Sequence, residues 1–188
     1  MKRQTKNILL FAIFIILLAG WILIFKYVNP QSIVAKLGAT NGYTVLFLLG
    51  TIGGASTFAG PSYFLALATL AIGGLNPVLL GISGGLGVAI GDALIFSIGL
   101  KAGKKAPEKF KEKISKFEKY IETKRGWLVN LLLYIYIGFS PFPNEIATIP
   151  LGLVGYGKKK IILFLLLGDI TSGILGAFLA VYGIKLFT

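Results

Sequence analysis

Long apolar runs separated by short basic clusters constrain this fold more than any other feature of the chain. Residues 8–25 form one uninterrupted run, and residues 77–100 and 161–187 are apolar over most of their length. Each run is long enough to cross a bilayer as an α-helix, which takes about 20 residues. The hydrophobic share of 55% also exceeds the roughly 45–50% of soluble domains. The pattern predicts an all-α polytopic membrane protein, in which residues 1–42 are an N-terminal transmembrane helix and connector and residues 43–187 are one membrane domain.

Two further apolar segments are interrupted. Residues 43–75 contain GGASTFAGPS, and residues 127–157 contain SPFPN. Proline lacks a backbone donor and clashes with the preceding turn, so neither segment is expected to be one continuous helix. Unpaired backbone at membrane depth must be buried in protein or line a watery cavity, so each segment is predicted to be a re-entrant, broken-helix hairpin. The residues predicted to make the breaks are Gly60, Pro61 and Ser62 in the first hairpin and Pro141, Pro143 and Asn144 in the second.

Each broken segment is followed by an unbroken helix, which indicates an internal duplication. An offset of 82 residues pairs Pro61 with Pro143 and Gly73 with Gly155. The predicted repeats are residues 43–100 and 127–187, with the charged loop 101–126 between them. If the first repeat starts outside and the second inside, the two form an inverted repeat of the kind found in many transporters.

The basic residues predict the topology. Ten of the 19 Lys and Arg lie between Lys101 and Arg125, three lie within residues 2–6 and three within residues 158–160. The positive-inside rule then puts the N-terminus and the 101–126 loop of a multi-pass cell-membrane protein in the cytoplasm. Because topology accounts for the charge, no nucleic-acid partner is expected.

Within that loop, apolar residues recur at helical spacing. Phe110, Ile114, Phe117 and Ile121 would form one stripe on a helix whose other faces are mostly Lys and Glu. Such a helix can lie on an anionic leaflet or pack against its own protein, and the sequence leaves both open.

Small residues recur every four positions in the two unbroken helices. Stripes of this kind let helix backbones approach closely in lipid. The residues predicted to pack helices in this way are Gly81, Gly85, Gly91, Gly168 and Gly176.

Three acidic residues lie within apolar segments. Asp92, Glu145 and Asp169 are predicted to face the bundle interior, because an acid facing lipid is costly. The chain has no His and no Cys, so neither the usual zinc ligand nor the usual proton shuttle is present. We expect these three acids to form a transport or proton site, with no metal and no cofactor. The alternative is that they hydrogen-bond to broken-helix backbone for structure alone.

Two motifs resemble the DedA/VTT (SNARE-associated Golgi protein) superfamily. GGLGVAIGDALIFSIGLKAGKK resembles the signature G-x-x-x-G-D-x-x-x-Y-x-x-G-[RK]-x-x-G, and GFSPFPNEIATIPLGLVGYGKKK resembles the second hairpin, R-[FL]-x-P-x-x-P followed by A-G-L. The resemblance implies two opposed re-entrant hairpins and the movement of membrane lipids between leaflets. In that superfamily these lipids are phospholipids (a scramblase activity) or polyprenyl phosphates, and some members are linked to protons.

The chain departs from the family pattern at the positions that would hold an anion. Gly138 stands where the hairpin opens with arginine, Asn144 and Glu145 stand near the second arginine, and Phe96 replaces the signature Tyr. A transporter or channel for a small cation or amine is therefore the main alternative, and a non-transporting membrane assembly factor is another. Oligomerisation is left open.

No enzymatic activity is expected. Intramembrane aspartyl proteases carry one aspartate in G-x-G-D, whereas AIGD and LLGD here lack the first glycine. The absence of His excludes His-dependent lipid phosphatases and rhomboid-type proteases.

Overall fold

The computed structural model describes residues 29–185, and every regular element among them is an α-helix. The predicted first span, residues 8–25, lies outside the described residues. The helices are α1 (Pro30–Leu37), α2 (Ala39–Gly54), α3 (Gly60–Ile72), α4 (Pro77–Lys104), α5 (Glu108–Glu122), α6 (Gly126–Phe139), α7 (Glu145–Leu153) and α8 (Lys158–Lys185).

Two of these helices, α4 and α8, are long and apolar enough to cross a membrane, over Pro77–Lys104 and Lys159–Gly183. A third span is present if α1 and α2, which are bent by 102° relative to each other, count as one. The bend lies at Gly38, whose φ of 75° falls in the left-handed region that favours glycine. The described residues are all-helical with two or three candidate membrane spans, which is consistent with the predicted all-α membrane protein.

The helix α4 begins where the sequence supplies a cap. The Asn76 side chain accepts hydrogen bonds from the backbone N–H groups of Val78 and Leu79, and Pro77 occupies the first turn, where its missing N–H leaves no bond unmade. The helix continues to Lys104, one turn beyond the predicted end at residue 100. Its last turn therefore includes Lys101 and Lys104 of the basic segment.

Two pairs of short helices, α2–α3 and α6–α7, are interrupted at residues 55–59 and 140–144. Pro141, Pro143 and Asn144 lie in the second break. Gly60, Pro61 and Ser62 instead form the first turn of α3, so the prediction placed the first break too late. Proline is tolerated in a first turn, and Pro61 therefore starts a helix there.

The two pairs start at opposite ends of the bundle. The Tyr43 hydroxyl near the start of α2 accepts a hydrogen bond from the backbone N–H of Asn76, just before α4. The Tyr156 hydroxyl, just beyond α7, donates to Asn130 Oδ1 in the first turns of α6, and a Cβ added at Gly103 near the end of α4 would overlap Leu153 at the end of α7. The breaks of the two pairs therefore meet near the middle of the molecule.

The central helix α4 contacts α2 with its first half and α7 with its second half. A Cβ at Gly50 would lie 2.5 Å from the carbonyl oxygen of Gly84, and one at Gly152 would lie 2.6 Å from that of Phe96. On its other side α4 crosses α8, where a Cβ at Gly85 would lie 2.6 Å from Ile170 Cα. Glycine at these positions lets the backbones touch.

The helix bounds do not follow one repeat offset. Gly60 and Glu145, which begin the second helix of each pair, are 85 positions apart, whereas Pro77 and Lys158, which begin the long helices, are 81 apart. The difference arises because α7 is one turn shorter than α3, with 9 residues against 13. The inverted repeat therefore stays a prediction.

Candidate functional site

A cavity of about 250 Å³ lies where the two breaks meet. Both breaks line it, together with the middle turns of α4 and α8. The polar and charged side chains among its lining residues are Thr57, Tyr63, Asp92, Ser140, Asn144, Glu145, Asp169 and Ser172. All three acids predicted from the sequence thus line one cavity.

Asn144 joins the two aspartates. Its side-chain Nδ2 donates to Asp92 Oδ2 at 2.6 Å and to Asp169 Oδ1 at 2.9 Å. Asp92 and Asp169 are almost fully buried, with 1% and 3% of their surface exposed. One neutral amide in the second break therefore holds carboxyls from both long helices.

Each aspartate keeps one buried oxygen that accepts no hydrogen bond from a donor group, and the two carboxyls lie within hydrogen-bonding reach of each other. The two oxygens are Asp92 Oδ1 and Asp169 Oδ2, and the buried hydroxyl of Tyr63, which lines the same cavity, is also unpartnered within residues 29–185. Buried polar atoms are nearly always hydrogen-bonded in folded proteins. Three unpartnered atoms around one cavity indicate a site that takes up a small polar or charged group.

Glu145 connects the two breaks directly. Its Oε1 accepts a hydrogen bond of 2.7 Å from the Thr57 hydroxyl. Glu145 is the first residue of α7 and Thr57 lies in the middle of the first break, so this exposed bond joins the two helix pairs at the cavity that both residues line.

Helix packing sets the position of both aspartates. Gly91, beside Asp92, lies against α2, where an added Cβ would be 2.5 Å from Thr51 O. Gly168, beside Asp169, lies against α6, where an added Cβ would be 2.7 Å from Ile137 Cγ2. The other glycines predicted to pack helices also face neighbouring helices: Gly81 faces Ile174, Gly85 faces Ile170 and Gly176 faces Leu67.

The cavity lining contains no Lys or Arg, so nothing in it neutralises the three carboxyls. Burying unpaired carboxylates is costly, and such groups bind a proton or a cation. No cluster of His, Cys, Asp and Glu within residues 29–185 is arranged as a metal site. The arrangement is suited to taking up and releasing a proton or one small positively charged group.

Sequence reasoning missed four polar residues of the cavity lining, which are Thr57, Tyr63, Ser140 and Ser172. Thr57 is one of several small residues in GGASTFAGPS and carries no signal of its own. Tyr63 directly follows the predicted break residue Ser62 and was not predicted as a site residue, although its ring is buried in the bundle and makes an edge contact with the Phe64 ring. Asn144 was predicted as a break residue, and its role between the aspartates could not be read from spacing.

No protein-family model, no curated protein and no solved structure matches this chain.

Proposed function

We propose that this chain moves lipids between the leaflets of a cell membrane and uses the acidic cavity as a proton site. In this proposal the two helix pairs are re-entrant hairpins of an inverted repeat, and the basic end of the bundle faces the cytoplasm. The observation that carries the proposal is the Asn144 amide, which holds two buried carboxyls where the breaks meet.

The cavity supports a proton site by its charge. Two aspartates share one neutral donor, their remaining oxygens accept no other hydrogen bond, and the two carboxyls are close enough to share a proton. The cavity changes charge when a proton binds there, and the hydrogen-bonded pair Thr57 and Glu145 lines the same cavity. Carboxyls inside membrane bundles commonly serve proton pathways.

The short helices support movement of lipid. The helices α3 and α7 have 13 and 9 residues, well below the roughly 20 needed to cross a bilayer. At the two breaks, Phe58 and Phe142 are exposed, Phe58 by 95%. In this proposal a lipid contacts the short helices at the exposed Phe58 and Phe142, and the polar cavity lies next to these two breaks. The resemblance to DedA/VTT proteins in the two quoted motifs points the same way.

Reconstituted vesicles with fluorescent phospholipids test this proposal. We expect leaflet exchange above that of empty vesicles, and a severalfold loss in Asp92→Asn and in Glu145→Gln. Glu118→Gln removes an exposed acid of α5 and serves as the matched control. Exchange no faster than in empty vesicles would contradict the lipid proposal, and full exchange in both cavity variants would contradict the role of the acids.

Transport of a small cation or amine is the second candidate. It is favoured by one observation, the absence of Lys and Arg from the cavity lining. Vesicles that report proton, sodium and amine flux separate the two candidates, because a cation transporter shows acid-dependent flux without leaflet exchange.

A further inference from the structure

An apolar groove runs beneath α5 at the basic end of the bundle. Its volume is about 580 Å³. Phe110, Ile114 and Phe117, three of the four residues of the predicted stripe, line one wall, and the end of α7 lines the other with Pro150, Leu153 and Val154. The fourth, Ile121, packs against the buried cluster around Leu133 and Leu165.

The stripe therefore does not seal against the protein. No residue of α5 is buried, and Phe110 is more than half exposed. The helix is anchored near its C-terminal end, and the gap under its N-terminal half remains open. An apolar gap of this kind is covered by something with an apolar surface of its own.

The charged residues that line the groove are both basic. Lys105 follows the last turn of α4, and Lys113 lies on α5, so two elements bring their lysines to one apolar cleft. No acidic side chain lines it. Lysine stems can lie along apolar surface while the ammonium groups reach an anion.

The groove also adjoins a helix that is long enough to span a membrane. This helix is α4, whose last turn bounds the groove. On the other side of α5 a second groove of about 630 Å³ shares Phe117 and Pro150 with the first, and exposed Leu132 and Ile146 line it. Lipid chains are the natural cover for such surface on a spanning protein.

We infer that the groove beneath α5 is a binding site for an anionic phospholipid. One acyl chain lies between the α5 stripe and the end of α7, and the phosphate is held by Lys105 and Lys113. An apolar cleft with two cationic groups and no acid matches this amphiphile, whereas a zwitterionic headgroup brings a positive charge toward the lysines. The site is separate from the acidic cavity and does not depend on leaflet exchange.

Native mass spectrometry of the full chain in a neutral detergent tests the inference. The purified protein is titrated with phosphatidylglycerol and with phosphatidylcholine of the same acyl chains, and with glycerol phosphate, which has the anion but no chain. We expect phosphatidylglycerol to bind in preference, and glycerol phosphate not to bind. Lys105→Gln with Lys113→Gln should weaken phosphatidylglycerol binding by about tenfold or more, as expected when two lysines hold one anionic headgroup.

Matched variants separate this site from general surface charge. Lys109→Gln with Lys119→Gln removes the same amount of charge from α5 outside the groove, and should change binding less than twofold. Ala106→Trp fills the groove without changing charge and should also weaken binding. Equal losses in the two lysine pairs, or unchanged binding in Ala106→Trp, would overturn the inference. The inference would also be overturned if the protein is a dimer that Ala106→Trp dissociates without changing the lipid preference. In that case a second copy of the chain would occupy the groove.

Discussion

Thr57 in the first break donates a hydrogen bond of 2.7 Å to Glu145, the residue that directly follows the second break. The two residues are 88 positions apart and belong to helix pairs that start at opposite ends of the bundle. Their contact fixes where the short helices meet and places a third carboxyl beside the buried aspartates.

The contact predicts a crosslink. The natural chain has no cysteine, so Thr57→Cys with Glu145→Cys introduces the only two thiols. We expect a short bifunctional thiol reagent to join them in membranes, giving a species that protease cleavage in the 101–126 loop does not separate on denaturing gels. Thr40→Cys with Glu145→Cys, in which the first thiol lies near the start of α2, is the control and should not crosslink. Crosslinking of both pairs alike would contradict the arrangement.

Removing the Asn144 amide should destabilise the protein. In Asn144→Ala both aspartates lose their side-chain donor, and we expect the free energy of unfolding to fall by about 1–3 kcal/mol. The measurement is equilibrium unfolding in mixed micelles.

A double variant checks the cause of that loss. Asp92→Asn supplies a new amide beside Asp169, so Asn144→Ala with Asp92→Asn should lose clearly less stability than the two single changes added together. Strict additivity would show that Asn144 does not act through the aspartates.

Backbone contact between α4 and α8 predicts a steric effect at Gly85. Its added Cβ would lie 2.6 Å from Ile170 Cα, which cannot move aside as a side chain can. We expect Gly85→Ala to lower the free energy of unfolding by about 1–3 kcal/mol. Gly183→Ala in α8, where nothing lies within 4 Å, should change it by less than about 0.5 kcal/mol. Similar losses in both variants would argue against close packing at Gly85.

The basic clusters predict the orientation in the membrane. Single cysteines at exposed Lys109 in α5 and exposed Lys36 in α1 lie at opposite ends of the bundle. In intact cells an impermeant maleimide should label Lys36→Cys, whereas Lys109→Cys should react only after permeabilisation. Labelling of Lys109→Cys in intact cells would contradict the predicted topology and indicate the opposite orientation.

Much of the architecture could be predicted because membrane chemistry leaves few choices. Unbroken apolar runs predicted α4 and α8, and the proline pair of SPFPN predicted the second break, since proline cannot donate within a helix. The acids were found because a carboxyl is costly at membrane depth unless it faces the interior.

The rest depended on three-dimensional neighbours. Pro61 is equally compatible with ending one helix and with starting the next, and only the observed start of α3 at Gly60 decides between these. The contacts of α2 with α4 at Gly50 and at Gly54, which faces Val88, were not predicted, because only the long helices carry small residues at every fourth position over several turns. Asn144 pairs with residues 52 and 25 positions away, and no local pattern encodes such a pairing.

The carboxyls held by Asn144 have a consequence for membrane voltage. If the proposed re-entrant hairpins place the two breaks halfway across the bilayer, a proton that reaches Asp92 or Asp169 from either face crosses about half of the transmembrane potential. One charge that crosses the full potential gains about 2.3 kcal/mol per 100 mV. A charge that crosses half of the potential therefore gains about 1.2 kcal/mol per 100 mV. Occupancy of the cavity would then report the potential as well as the acidity on each side, and an energised membrane would load it from the positive face.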